Sequence, residues 1–312
     1  MKKKTENRAQ IWAIGSGKGG TGKTLIISQI AKFLAGDGKR VLLIDCDLSA
    51  PNIHSFFGIH SAEKSILDCF EDNEAIENLI QSTRVKNLEI ITGNKNGISF
   101  IAIGHKQIKA FFSALERVNV DYILLDLGGG SSQMTIDFFL KADKKIVATD
   151  LEIISIENLL HFIRNTFFRK LHFSLSHYGL NKTIENLWNN RKQYQIKTLG
   201  DLIRQLGEAS EKIDQSTLKK VSHLQLYLIV NKVRKTNDII EGFSIKSICM
   251  KYFGVDTHYS GYVEYDNQSW KNFSLVPTHK FIISPRIEQE IITIAENIKT
   301  GNQIKIDRIK NV

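Results

Sequence analysis

Cysteine is scarce in this chain. Its 312 residues hold three, Cys46, Cys69 and Cys249, with no pair spaced as Cys-x-x-Cys. That spacing excludes a disulfide framework and a paired-thiol metal knuckle. Proline is as rare, with three in all, and no Pro-, Gly- or Ser-rich linker divides the chain. It therefore reads as one domain over residues 1–312. Long apolar runs are missing too: the longest, around Leu224–Val230, is strand-sized and well short of the roughly eighteen residues of a membrane span. No apolar leader follows the basic Met1–Lys4, so a soluble, cytoplasmic protein is expected.

The charge is uneven. The chain carries +9 overall, with +6 in residues 160–222 and +3 in each of 1–10 and 299–312, so the rest sums to −3. The basic excess sits on appendages, which invites an anionic partner such as nucleic acid, acidic lipid or acidic protein. Lysine-rich helices that merely face water are the plainer alternative.

Short apolar runs alternate with helix-period segments, the pattern of a parallel sheet wrapped by helices. Strands are predicted at Ile11–Gly15, Val41–Asp45, Leu88–Thr92, Tyr122–Leu127, Lys145–Thr149 and Leu224–Asn231, with a weaker one at Tyr259–Tyr265. Helices are predicted at Lys23–Ala35, Ile153–Leu171 and Arg286–Lys299, the last with Ile287, Ile291, Ile294 and Ile298 as a core-facing stripe. Residues 172–222 break the rhythm. They are polar and rich in Lys, Asn and Gln, and short helices are expected near Lys182–Asn190, Leu199–Leu206 and Asp214–Ser222. A parallel crossover needs only a dozen or so residues, so this is a basic helical insertion.

Gly17-Lys18-Gly19-Gly20-Thr21-Gly22-Lys23-Thr24 fits the P-loop pattern, after a predicted strand and at the start of an amphipathic helix. Its glycines let backbone N–H groups approach phosphate oxygens beside a positive helix end. Lys23 is placed to bridge β- and γ-phosphates, and the Thr24 hydroxyl to ligate Mg²⁺. Strand ends supply carboxylates where ligands bind in such sheets: Asp45 and Asp47 after Val41–Ile44, and Asp126 after Ile123–Leu125. Asp126 reads as the Walker-B carboxylate, joined to Gly128-Gly129-Gly130 as a flexible sensor of the γ-phosphate. Capping of a helix or turn is the structural alternative for Asp47 and Asp126.

A second lysine early in the loop, Lys18, is not required of P-loops in general. Here the chain resembles the MinD/ParA group of deviant-Walker ATPases, whose loop reads Lys-Gly-Gly-x-Gly-Lys-Thr. The resemblance implies an α/β fold with a mostly parallel twisted sheet flanked by helices, here with a helical insertion. It also implies an ATP-dependent homodimer in which Lys18 reaches the partner's nucleotide. Asp45 would then sit near Mg²⁺ and Asp47 would position the attacking water, with Asn52 beside them. Asn231 would contact adenine. Guanine-specific relatives usually read Asn-Lys-x-Asp, and Arg234 stands at the last position; its guanidinium offers only donors, which favours ATP over GTP. Thr149, Glu152 and Ser155-Ile156-Glu157-Asn158 match a further family stretch, with Leu151 in place of its usual proline turn. Together with Asp137–Leu140 and Gly242–Ile245, that stretch is most similar to the FlhG branch and its MinD-like relatives. Met1–Gln10 holds no Asp-Gln-Ala-x-x-Leu-Arg motif, so stimulation of a flagellar GTPase is not carried over.

These readings imply an ATPase switch that uses ATP and Mg²⁺ and recruits a protein partner in spatial positioning. A metabolic or metal-cluster-handling ATPase and a non-hydrolysing binding module are the alternatives. Two surfaces are candidates for a contact beyond the protein partner. Arg164, Arg169, Lys170, Arg191, Lys192, Lys197, Lys219 and Lys220 would bind DNA non-specifically. The tail Gln303–Val312 would touch a membrane peripherally, although it lacks aromatic anchors.

Overall fold

A six-residue run such as Val41–Cys46, buried along its whole length, has no face to give to water and must be covered on both sides. The computed structural model describes residues 8–59, 64–93, 103–210, 213–267 and 283–305. Its eight strands are β1 (Gln10–Gly15), β2 (Val41–Cys46), β3 (Gln81–Ser82), β4 (Leu88–Ile91), β5 (Tyr122–Leu127), β6 (Lys144–Thr149), β7 (Gln225–Val233) and β8 (Asp256–Glu264). They form one sheet in the order β3-β4-β2-β5-β1-β6-β7-β8. Every pairing is parallel except the short β3 against β4.

Helices cover both faces: α1 (Lys23–Gly36), α2 (Ile53–Phe56), α3 (Ile66–Glu71), α4 (His105–Leu115), α5 (Gln133–Lys141), α6 (Ile153–Leu175), α7 (Asn181–Asn189), α8 (Leu199–Glu208), α9 (Gln215–Ser222), α10 (Thr236–Ile248) and α11 (Pro285–Thr300). The period of two along β1 sorts the core into two layers. Trp12 and Ile14 face α1 and α11, whereas Ile11 and Ala13 face the layer that holds α4, α5 and α6. Ile287, Ile291, Ile294 and Ile298 of α11 are all buried, as their spacing predicts.

The predicted elements are present, with shifted ends. β8 starts at Asp256, three residues earlier than its apolar run, because its parallel register with β7 begins at Gln225. α6 runs to Leu175, since Leu171 and Leu175 continue its buried stripe. β3 was not expected; two residues are too few to leave a periodic trace. The three insertion helices lie close to their predicted spans. Ile184, Leu187, Leu202, Leu206 and Leu218 are buried, in the same apolar layer as α6. At the head of α8, the Asp201 amide donates to Thr198 Oγ1 at 3.1 Å and the Thr198 amide to Asp201 Oδ2 at 2.9 Å, a reciprocal cap. Residues 306–312 of the tail and the basic Met1–Lys4 lie outside the described residues. Before that limit, the Ile304 amide donates to the Tyr259 carbonyl at 3.0 Å.

Candidate functional site

The P-loop bridges the C-terminal end of β1 and the first turn of α1, where the open ends of β2, β5 and β6 converge. Close approach fixes two of its glycines. A Cβ on Gly17 would lie 2.0 Å from the Asn158 carbonyl carbon on α6. Gly22 has φ +89°, and its Cβ would fall 2.1 Å from the Asn231 amide nitrogen.

Lys23 is buried, and loss of solvation pulls its ammonium below the ordinary lysine range, against the attraction of Asp126 and Asp47. Register pairing sets Asp45 of β2 directly beside Asp126 of β5. Asp45 is fully buried and accepts the amides of Asp47, Asn52 and Ile53 at 3.1, 2.8 and 3.0 Å. Even so, burial first and the Asp126 charge second push its carboxyl well above the usual range. Burial likewise lifts Asp126 to about 7, opposed by the Thr24 hydroxyl and Lys23. Asp126 Oδ1 is buried without a hydrogen-bond partner among the described residues.

Two carboxylates forced together out of water, one with an orphaned oxygen, and a desolvated lysine at a glycine-rich helix start fit a phosphate-bound divalent cation. Thr24 and Asp126, with Asp45 behind them, are the groups that would hold it. Mg²⁺ keeps several waters and needs few protein ligands.

The other expected residues are close by. Asp47 Oδ1 accepts the Ser49 and Ala50 amides at 3.1 Å each and lies 3.3 Å from where a Gly128 Cβ would stand. The sensor loop touches the P-loop: the Gly130 amide donates to the Ser16 carbonyl at 3.0 Å, and a Cβ on Gly129 would meet the Gly19 nitrogen at 2.6 Å. Asn52 anchors Asp45 through its backbone, while its side chain donates to the Ala50 carbonyl at 2.6 Å. Lys18 points to Glu152, with Nζ 2.6 Å from Oε2. The next two residues of α6, Ile153 and Ile154, are 76% and 65% exposed.

A family model for the AAA domain matches residues 9–176, more than half of the chain. The chain belongs to that family, as a P-loop ATPase of the MinD/ParA type. Over 158 residues this MinD/ParA-type chain is 31% identical to the sporulation initiation inhibitor protein Soj of Bacillus subtilis, covering 48% of itself and 62% of Soj. Over 152 residues it is 28% identical to the septum site-determining protein MinD of Helicobacter pylori, covering 48% of itself and 56% of that protein. The chain spans about half the length of the curated relatives it matches. Among solved structures, MinD of Pyrococcus horikoshii with Mg-ADP aligns at TM-score 0.59 and 18% identity, covering 94% of this chain and 97% of that one. A plasmid partition protein of Borrelia burgdorferi bound to AMPPNP aligns at 0.58 and 20%, covering 94% and 99%. These likenesses bear on the fold.

Asn231, expected to contact adenine, is tied to the P-loop. Its Nδ2 donates to the Thr21 carbonyl at 2.8 Å and its Oδ1 accepts the Lys232 amide at 2.9 Å, so it braces the P-loop of this MinD/ParA-type site. Lys232, with φ +58°, completes the clamp by donating to the Gly20 carbonyl at 2.9 Å and pairing with buried Asp150 at 3.1 Å. Lys232 and Asp150 leave no trace in the sequence beyond being polar residues at the ends of β7 and β6. Among the cations expected to meet DNA, Arg169 is withdrawn into a two-pronged pair with Asp137 at 2.7 and 2.8 Å. Lys170 donates to the His223 carbonyl, whereas Lys192, Lys197, Lys219 and Lys220 are exposed.

Proposed function

We propose that this chain is an ATP-hydrolysing switch whose ATP-bound form is a homodimer that recruits a protein partner in a positioning process. The observation that carries the reading is Lys18. Its ammonium lies at the protein's surface beside exposed Ile153 and Ile154, where a second copy would cover the apolar pair and receive the cation. A positive charge lent across a dimer stabilises charge that develops on the transferred phosphoryl group. The base is adenine, because Arg234 stacks its guanidinium over Tyr265 at 4.4 Å and offers no acceptor for guanine.

Within one subunit, Gly19, Gly20, Thr21 and Gly22 present backbone amides to the phosphates, and Lys23 bridges the β- and γ-phosphates. Thr24, Asp45 and Asp126 would hold Mg²⁺, which would supply Lewis-acid neutralisation of the phosphate oxygens. Asp47, next to Gly128 of the sensor loop, orients the attacking water, and Asn52 keeps Asp45 in place through its amide. Of the positioning processes, the residues around 137–140, 155–158 and 242–245 favour the flagellar-number branch. The exposed lysines of α9 and the α7–α8 loop are a secondary surface for DNA.

The test is Asp47→Ala. Removing the water-positioning carboxylate is expected to lower turnover by about a hundredfold or more while leaving ATP bound. The variant should then accumulate as a dimer with Mg-ATP in light scattering. A monomer with ATP in place contradicts the switch.

A further inference from the structure

At the other ends of β6 and β7 the chain gathers a second group of charges, this time positive and half-buried. A cavity of about 710 Å³ opens at the neck of the insertion, where α6 leaves the ATPase body and the chain returns at His223–Gln225. Lys145 of β6 and Lys170 of α6 line it. Lys145 Nζ donates to the Ala142 carbonyl at 2.6 Å and Lys170 Nζ to the His223 carbonyl. Each ammonium has three protons, so each keeps donors for another acceptor.

The carboxylates on the same walls are already committed. Asp137 holds Arg169, and Asp143 accepts Arg8 at 2.6 Å and the Ile11 amide at 2.9 Å. Among the described residues, neither lysine forms an ion pair. Desolvation first, and then the Lys170 charge, press Lys145 down to about 8 against the attraction of Asp143; burial presses Lys170 down as well. Lys141 adds a further cation at the exposed rim. One wall is aromatic, with His105 stacked on Phe173 at 4.9 Å and 28°. Ile108, Leu140 and Leu224 add apolar lining beside the polar Ser174, Ser176, His177, His223 and Gln225.

We propose that this cavity binds a small phosphorylated molecule, its phosphate between Lys145 and Lys170 and its ring or apolar part against His105, Ile108 and Leu140, the far face of Phe173 being covered by the Arg169 guanidinium at 4.3 Å. A phosphate has oxygens enough for both ammonium groups, and charge-assisted bonds formed out of water are the strong ones. A pocket of this size suits a small ligand that is apolar apart from a few fixed polar groups. From Lys145 to Thr149, β6 spans about 13 Å of strand, so the site is separate from the P-loop and does not depend on the reading given to it. Occupancy would tie β6 to α6 at the base of the insertion.

The experiment is isothermal titration of phenyl phosphate into the full chain, after Mg-ADP has been added and its own binding recorded. Wild type should bind, and Lys145→Met and Lys170→Met should each weaken binding about tenfold or more. Lys170→Arg should retain it. Both methionine variants should melt no lower than wild type in anion-free buffer, which separates loss of the site from loss of the fold. Vesicles containing phosphatidic acid, run in parallel, sort the source of the phosphate. Vesicle binding that Lys170→Met removes, without phenyl phosphate binding, overturns the assignment to a small molecule. No heat from phenyl phosphate, or equal affinity in both methionine variants, overturns the site itself. A chain that fails to take Mg-ADP yet shows the lysine-dependent heat keeps this proposal and loses the nucleotide reading.

Discussion

The two ends of the parallel sheet gather charge of opposite sign, fully buried at one end and half-buried at the other. At the C-terminal end, Asp45 and Asp126 face each other across β2 and β5, with Lys23 desolvated beside them. At the N-terminal end, Lys145 and Lys170 share a cavity whose carboxylates are spent on arginines. In both places like charges sit together at a cost in solvation that the protein alone does not offset. The difference lies in the backbone. The carboxylate end has glycines and a helix start aimed at a ligand, whereas the lysine end has only side chains and an aromatic wall. The first is built for a charged chain of phosphates, the second for one anionic group on an otherwise apolar body.

Breaking the first end should have the largest effect. Lys23→Met is expected to reduce ATP turnover by about a hundredfold or more, since it removes the cation nearest the developing phosphate charge. Because it also deletes a desolvated ammonium, the unliganded protein should not melt earlier; steady-state turnover and a melting curve check both halves.

Asp126→Asn sharpens the contrast through pH. The folded-state carboxyl titrates near 7, above its ordinary value of 3.8, so between those limits the folded chain binds more protons than the unfolded one. Stability without ligand therefore falls as pH rises through this window, by at most about 1.4 kcal/mol per pH unit from this group. The asparagine variant should show a shallower fall in urea titrations from pH 5 to 8. In wild type, Mg²⁺ competes with the proton, so its stabilising effect in the presence of nucleotide should grow across the same range. An Mg²⁺ effect independent of pH would take Asp126 out of the ion's surroundings.

The smallest effect concerns the pair that leaves the lysine end unneutralised. Asp137→Ala frees Arg169, which is partly exposed, and should cost about 2 kcal/mol in urea unfolding while leaving nucleotide binding intact.

How far the sequence reveals these features depends on chain distance. The glycines, Lys23 and Thr24 are contiguous and follow an apolar run, so the cradle is legible in eight letters. Asp45 and Asp126 are legible because strand ends announce them. Lys232 with Asp150, and Arg169 with Asp137, are long-range pairs; no local period records which of many polar residues will meet across β6 and β7 or between α5 and α6. Asn231 was visible at a strand end, but its bond to the Thr21 carbonyl depends on the exact height at which β7 stops. The insertion's helices were legible from their apolar spacing, whereas the cavity at its neck appears only once α6 and β6 are side by side.

The central claim is that two copies share their nucleotides through Lys18. Its most direct test is sedimentation of Lys18→Ala with saturating Mg-ATP, in the Asp47→Ala background that holds ATP unhydrolysed. The account predicts a monomer that still binds ATP, against a dimer for Asp47→Ala alone. A dimer of undiminished strength in the double variant would contradict it.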